Sequence, residues 1–157
     1  DTVRVFSCHL QTTQVGQSDR DYIDRMEYLG DTNREERVRN IAGSLKRNFK
    51  LRAVQADTLA KVINASPYRT VVCGDFNDTP MSYAYHTVRG DMLDAFVEKG
   101  SGVPSTYKGL FNLFRIDYVL FSKEIKAVSY NTPPGDYSDH KAVVVELDMR
   151  PRAANVQ

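Results

Sequence analysis

The chain has 157 residues, the size of one compact domain, and can bury a core without a disulfide framework or a structural metal. With 21 basic against 20 acidic residues its net charge is +1, which lacks the basic excess of a sequence-independent DNA binder, and its 41% hydrophobic content excludes overall disorder. No run approaches the roughly 18 apolar residues of a membrane span, and the first residues have no signal-peptide shape.

Residues 3–10 are β-branched and aromatic and end on polar Gln11, Thr12 and Thr13, which predicts a strand running into a loop. Residues 14–36 are polar and punctuated by Gly16, Gly30 and Asn33, which predicts a long functional loop holding a short helix around Tyr22, Met26 and Leu29. From 35 to 64 the apolar residues Val38, Ile41, Leu45, Phe49, Leu51, Val54, Leu59, Val62 and Ile63 recur at helical steps, predicting a long helix with its kink near Asn48. Ser66-Pro67 ends it, and residues 70–73 form a buried strand stopped by Gly74.

A short helix over 81–88 follows Asp78-Thr79-Pro80, then an apolar segment at 92–96 and a Gly/Ser/Pro loop at 100–104. Strands are expected at 116–122, 127–130 and 142–147, and a frayed tail at 150–157. Helices alternating with buried strands indicate an α/β domain over 1–149. Cys8 and Cys73 both fall in strands and are expected as buried free thiols.

Four segments carry chemistry at predicted strand ends: His9, Gly74-Asp75-Phe76-Asn77-Asp78, Arg115-Ile116-Asp117-Tyr118 and Ser138-Asp139-His140. Hard oxygen donors such as Asp75 and Asp139 suit Mg²⁺ or Mn²⁺, and no thiolate cluster competes. Histidine beside a carboxylate can shuttle a proton or donate to a phosphoryl oxygen. Taken singly, each segment also has a structural reading, a satisfied histidine or an Asx turn. Asp117 is the exception, because a carboxylate in an apolar strand demands a partner, a cation or a histidine nearby.

In this order the segments resemble the endonuclease/exonuclease/phosphatase superfamily, whose members include deoxyribonuclease I, abasic-site endonucleases, inositol polyphosphate 5-phosphatases and sphingomyelinases. Residues 5–10 are similar to the family strand ending in His-Leu, 71–77 to its Gly-Asp-Phe-Asn motif, 115–120 to its Arg-Ile-Asp-Tyr strand and 138–140 to its terminal Ser-Asp-His. Thr106-Tyr107 resembles a looser Thr-aromatic pattern.

The resemblance implies a C-terminal half of a four-layer α/β/β/α sandwich and a metal-dependent hydrolase of phosphodiesters or phosphomonoesters. It implies catalytic roles for His9, Asp75, Asn77, Asp117 and His140, converging in one cleft, and metal ligation by Asp139 and Asp75. Asp75 would activate the attacking water, Asn77 would donate to a phosphoryl oxygen, and Asp117 would orient His140.

The family's Gln-Glu strand, with its metal-binding glutamate, has no counterpart here, although Asp78 or Asp136 could stand in for that glutamate. A partner carrying the N-terminal half, in the same gene or as a companion chain, is therefore expected, together with weak metal binding, slow turnover and self-association of the chain by itself. The balanced charge favours a small phosphoester or lipid headgroup over DNA as substrate. The alternative is a non-catalytic binding or assembly module that keeps the fold without a full metal site.

Overall fold

The computed structural model describes residues 2–13, 34–109 and 112–150. Strand β1 (Val3–His9) leads through helix α1 (Arg34–Asn64) to β2 (Arg69–Asp75), then α2 (Tyr83–Arg89), β3 (Leu93–Asp94) and α3 (Ala95–Lys99). Strands β4 (Asp117–Phe121), β5 (Lys126–Asn131) and β6 (Val144–Asp148) complete the chain. The loop and short helix expected at 14–33 and the tail at 151–157 lie outside the described residues. Among the described residues no helix is long and apolar enough to cross a membrane.

β1, β2, β4 and β3 form one mixed sheet in that order, while β5 and β6 form a separate antiparallel pair. β1 and β2 run parallel, which requires a crossover, and α1 supplies it; β4 returns antiparallel to β2. Because strand side chains alternate, the apolar runs of β2 and β4 feed two cores. Val72, Phe76, Tyr118 and Leu120 join Phe6, Cys8 and Leu10 against α1 and α2. Val71, Val119 and Phe121 join Val3 and Leu93 against α3 and the β5–β6 pair. The layers are therefore helices, main sheet and second sheet, as an α/β sandwich of this class requires.

The two cysteines occupy opposite faces of the main sheet, Cys8 in the helix-side core and Cys73 on the other side, and both are free thiols. Burial pushes the Cys8 thiol up to about 11, so it stays protonated and inert. Gly74 is obligatory: its φ is +143°, and a Cβ there would stand 1.8 Å from the Cys8 carbonyl oxygen. Its absence lets β1 approach β2 one residue before Asp75.

Two expectations are corrected. Residues 34–36 open α1, with Glu35 and Glu36 in its first turn where the helix dipole favours them, and do not belong to the preceding loop. Only part of the apolar series of the helix turns inward, with Ile63 buried and Leu59 packed against the core. Asn48, Arg52, Ala56 and Ile63 are buried, whereas Val38, Phe49, Leu51, Val54 and Val62 are largely exposed. The helix runs on through Asn48. Arg52 shares the inward face, and its guanidinium reaches partners on the loops at the sheet's end.

Candidate active site

The strand ladder aligns the site. His9 lies opposite Asp75 across the β1–β2 pair, and Asp75 lies opposite Asp117 across the β2–β4 pair. Registered residues point to the same face, so an imidazole and two carboxylates leave the sheet side by side, one strand spacing apart, on the face that carries the second sheet. His9 Nε2 stands 3.5 Å from Asp75 Oδ2, and its ring is mostly exposed.

Past the strand end the chain turns sharply, and Asn77 takes a left-handed φ of 51°, which asparagine tolerates. From there it grips Asp75 twice, its backbone N–H donating to Oδ1 at 2.7 Å and its side-chain Nδ2 to Oδ2 at 2.9 Å. Nδ2 also donates to the Leu10 carbonyl at 3.1 Å. Both amide hydrogens of Asn77 are thus engaged within the protein, and its direct effect is to aim Asp75.

Burial raises the Asp75 carboxyl above its ordinary range, opposed by the Asn77 backbone bond and reinforced by the neighbouring Asp117 carboxylate. The folded state therefore holds this proton more tightly than the unfolded chain does. The associated stability is complete below the unfolded value and is lost as pH rises through the raised folded value. Asp75→Asn carries no such charge and keeps the bond from the Asn77 backbone. Its melting temperature relative to wild type should rise between pH about 4 and pH 7. A thermal-melt series in which the gap stays constant, or moves the other way, would show that Asp75 ionises freely.

Asp117 has the partner its apolar strand demands: Oδ2 lies 2.9 Å from His140 Nδ1. That contact directs Nε2 of the imidazole away from the carboxylate. The Tyr107 ring packs against His140 with centroids 5.2 Å apart, and the Ser138 hydroxyl accepts from the His140 backbone N–H. The structure thus brings His9, Asp75, Asn77, Asp117 and His140 together at one end of the sheet.

The Asp139 side chain is exposed, and the Ser138 hydroxyl donates to its Oδ1 at 3.4 Å. Among the described residues, the group whose donor atoms lie within 4.8 Å of one another is Asp75, Asp117 and His140, without Asp139. This donor set fits a hard divalent cation in charge, since two carboxylates forced together in a half-buried place gain from a cation between them. It falls short in number, because several of its atoms already accept or donate internally.

Asp78 is no replacement for a missing ligand, because Arg52 Nε holds its Oδ2 at 3.0 Å. Asp136 is fully exposed, with Lys108 at 3.7 Å.

The sequence profile of the Endonuclease/Exonuclease/phosphatase family matches residues 7–140. The chain belongs to the endonuclease/exonuclease/phosphatase family. Solved structures agree on the fold. A family member from Bacteroides vulgatus is similar at 24% identity and a TM-score of 0.55, over 63% of this chain and 44% of its own. The mannosyl-6-phosphatase Bt3783 of Bacteroides thetaiotaomicron is similar at 20% identity and 0.52, over 63% and 46%. The human Nocturnin catalytic domain with bound sulfate anion is similar at 23% identity and 0.51, over 64% and 42%. The chain thus spans less than half the length of these structures. No curated protein sequence matches it.

For an endonuclease/exonuclease/phosphatase chain, the supports behind these motifs were harder to read than the motifs. Arg52, buried on α1, donates to Asp78, to the Gln11 carbonyl at 2.9 Å and to the Thr13 hydroxyl at 3.0 Å, binding the loops after β1 and β2 to the helix. Arg115, the first residue of its motif, sits in a buried pair with Asp94 and outside the His9–Asp75–Asp117 row. Thr106 accepts from the backbone at the start of β4. Arg115 left a sequence signal in its Arg-Ile-Asp-Tyr motif and Thr106 in the weak Thr-aromatic pattern, whereas Arg52 left none.

Proposed function

We propose that the chain is the catalytic part of a Mg²⁺- or Mn²⁺-dependent phosphoesterase that splits its substrate by in-line attack of water. The observation that carries this reading is the registered row His9–Asp75–Asp117 with His140 bonded to Asp117 at 2.9 Å. A carboxyl that resists ionisation and an imidazole held in one orientation by a second carboxylate match the two proton-handling tasks of phosphoester hydrolysis.

In this mechanism Asp75, aimed by Asn77, takes the proton of the attacking water. His140, its Nδ1 occupied by Asp117, presents Nε2 to a phosphoryl oxygen, and His9 faces the phosphate from the other flank of Asp75. Asp75, with the Asp117 carboxylate beside it, would hold the cation, which when bound supplies Lewis-acid stabilisation of the developing charge. Residues beyond this chain complete its shell and cover the rest of the open sheet face, where Val5 is 62% exposed. Two similar folds support the chemical class: one is named a mannosyl-6-phosphatase, and the other holds a tetrahedral anion. The balanced charge favours a small phosphoester or lipid headgroup over DNA.

The test is hydrolysis of bis(p-nitrophenyl) phosphate and p-nitrophenyl phosphate with Mn²⁺, by the longer polypeptide containing this sequence and by the chain alone. The longer polypeptide should turn over at about 1–10³ s⁻¹ and be silenced by a chelator, while the isolated chain stays well below that range. A folded longer polypeptide that cleaves neither ester, nor a phospholipid headgroup or DNA, would make the non-catalytic binding module the correct reading.

A further inference from the structure

We propose that Thr106 is a positioning residue for this chemistry, tying the strand that carries Asp117 to the loop that carries His140 and so setting the contact between them. The inference rests on the proposed function and extends it to a residue outside the reacting row. Thr106 is completely buried, yet its polar atoms face strand and loop backbone on both sides. Its hydroxyl oxygen accepts from the backbone N–H of Ile116 at 3.0 Å and of Asp117 at 3.1 Å. Its own N–H donates to the Phe114 carbonyl at 3.0 Å, and its carbonyl accepts from Lys141 N–H at 2.7 Å.

One residue thereby holds Asp117 directly and the residue next to His140. The neighbours repeat the pattern. Tyr107 pairs with His140 as an antiparallel bridge, and Lys108 N–H donates to the Asp139 carbonyl at 2.7 Å. The side chain must be a hydroxyl because two backbone N–H groups at the start of β4 converge on a single acceptor. Valine would fill the same volume and strand both donors, whereas serine would keep the acceptor. Relaxation of the strand start then moves Asp117 away from His140, and misplacement by about 1 Å costs on the order of a hundredfold in rate.

The experiment compares wild type, Thr106→Ser and Thr106→Val, each as the full protein. The first readout is the downfield proton resonance of His140 Nδ1–H, assigned by its loss in Asp117→Asn. The second is kcat and KM with Mn²⁺ and p-nitrophenyl esters. Wild type and Thr106→Ser should share the resonance and agree in kcat within about threefold. Thr106→Val should stay folded by circular dichroism, lose the resonance and drop on the order of a hundredfold in kcat, with KM little changed.

Thr106 is not a positioning residue if Thr106→Val keeps the resonance and the rate, if Thr106→Ser falls as far as Thr106→Val, or if the wild type shows no such resonance. An unfolded Thr106→Val also overturns the proposal, because the residue would then hold the fold as a whole. A wild type that shows the resonance but hydrolyses no ester sinks the proposed function alone, and the resonance in the variants still decides on Thr106.

Discussion

His140→Ala is expected to lower kcat by about 10²–10⁴-fold, the range for loss of a positioned proton-transfer group, with a much smaller change in KM. Asp117→Asn should lose a comparable amount, because an amide opposite Nδ1 no longer selects the tautomer and orientation of the ring. The pair acts through one hydrogen bond of 2.9 Å between partly buried groups, 28% and 19% exposed, so the losses should not add. The double variant Asp117→Asn/His140→Ala is expected within about threefold of His140→Ala alone, well inside the spread of unit-like catalytic groups. Steady-state kinetics on the metal-supplied enzyme would reveal independent roles if the two losses multiplied instead.

The largest stability effect is expected away from the site. Arg115 Nη1 reaches both oxygens of Asp94, at 2.9 and 2.7 Å, and both side chains are almost fully buried. Burial disfavours the Arg115 charge, but the Asp94 carboxylate more than compensates and raises its pKa. The guanidinium is lodged among aromatic rings, with Tyr118 at 4.8 Å and Phe96 at 5.0 Å from its centre. Asp94 in turn accepts from the Tyr85 hydroxyl at 2.8 Å and caps α3 through the Phe96 N–H at 2.9 Å.

Arg115→Met removes the cation and leaves a buried carboxylate uncompensated, at a cost of about 3–5 kcal/mol, a large share of a typical domain's total stability. Adding Asp94→Asn, which keeps the cap acceptor and deletes the charge, should recover more than half of that loss. Urea unfolding of the two variants decides it. A single variant within about 1 kcal/mol of wild type would mean that Asp94 finds other compensation.

The residue types of the His9–Asp75–Asp117 row were legible in sequence because their constraints are local. Gly74 reads as a strand stop, yet β2 runs through it to Asp75, because a glycine there fits against the Cys8 carbonyl; Asn77 reads as turn chemistry because it bonds the carboxylate two residues back. Asp117 announces a partner because a carboxylate in an apolar strand cannot stand alone. The β1–α1–β2 order and the doubly buried strands followed from periodicity for the same reason, since side-chain direction repeats with the backbone.

What remained hidden depends on residues that only folding brings together. Periodicity marked the apolar positions of α1 but could not show that its inward face also carries Arg52, which meets Asp78, 26 residues away. The Arg115–Asp94 pair joins positions 21 apart, and the Thr106 clamp joins a loop to β4 and to the His140 loop. A charged or hydroxyl side chain carries no record of its partner. The sequence by itself marked the candidate groups at the strand ends and the strands that carry them, through local backbone and desolvation constraints. The tertiary structure decided how those groups are held, because the hydrogen bonds that aim them close only once distant segments have packed.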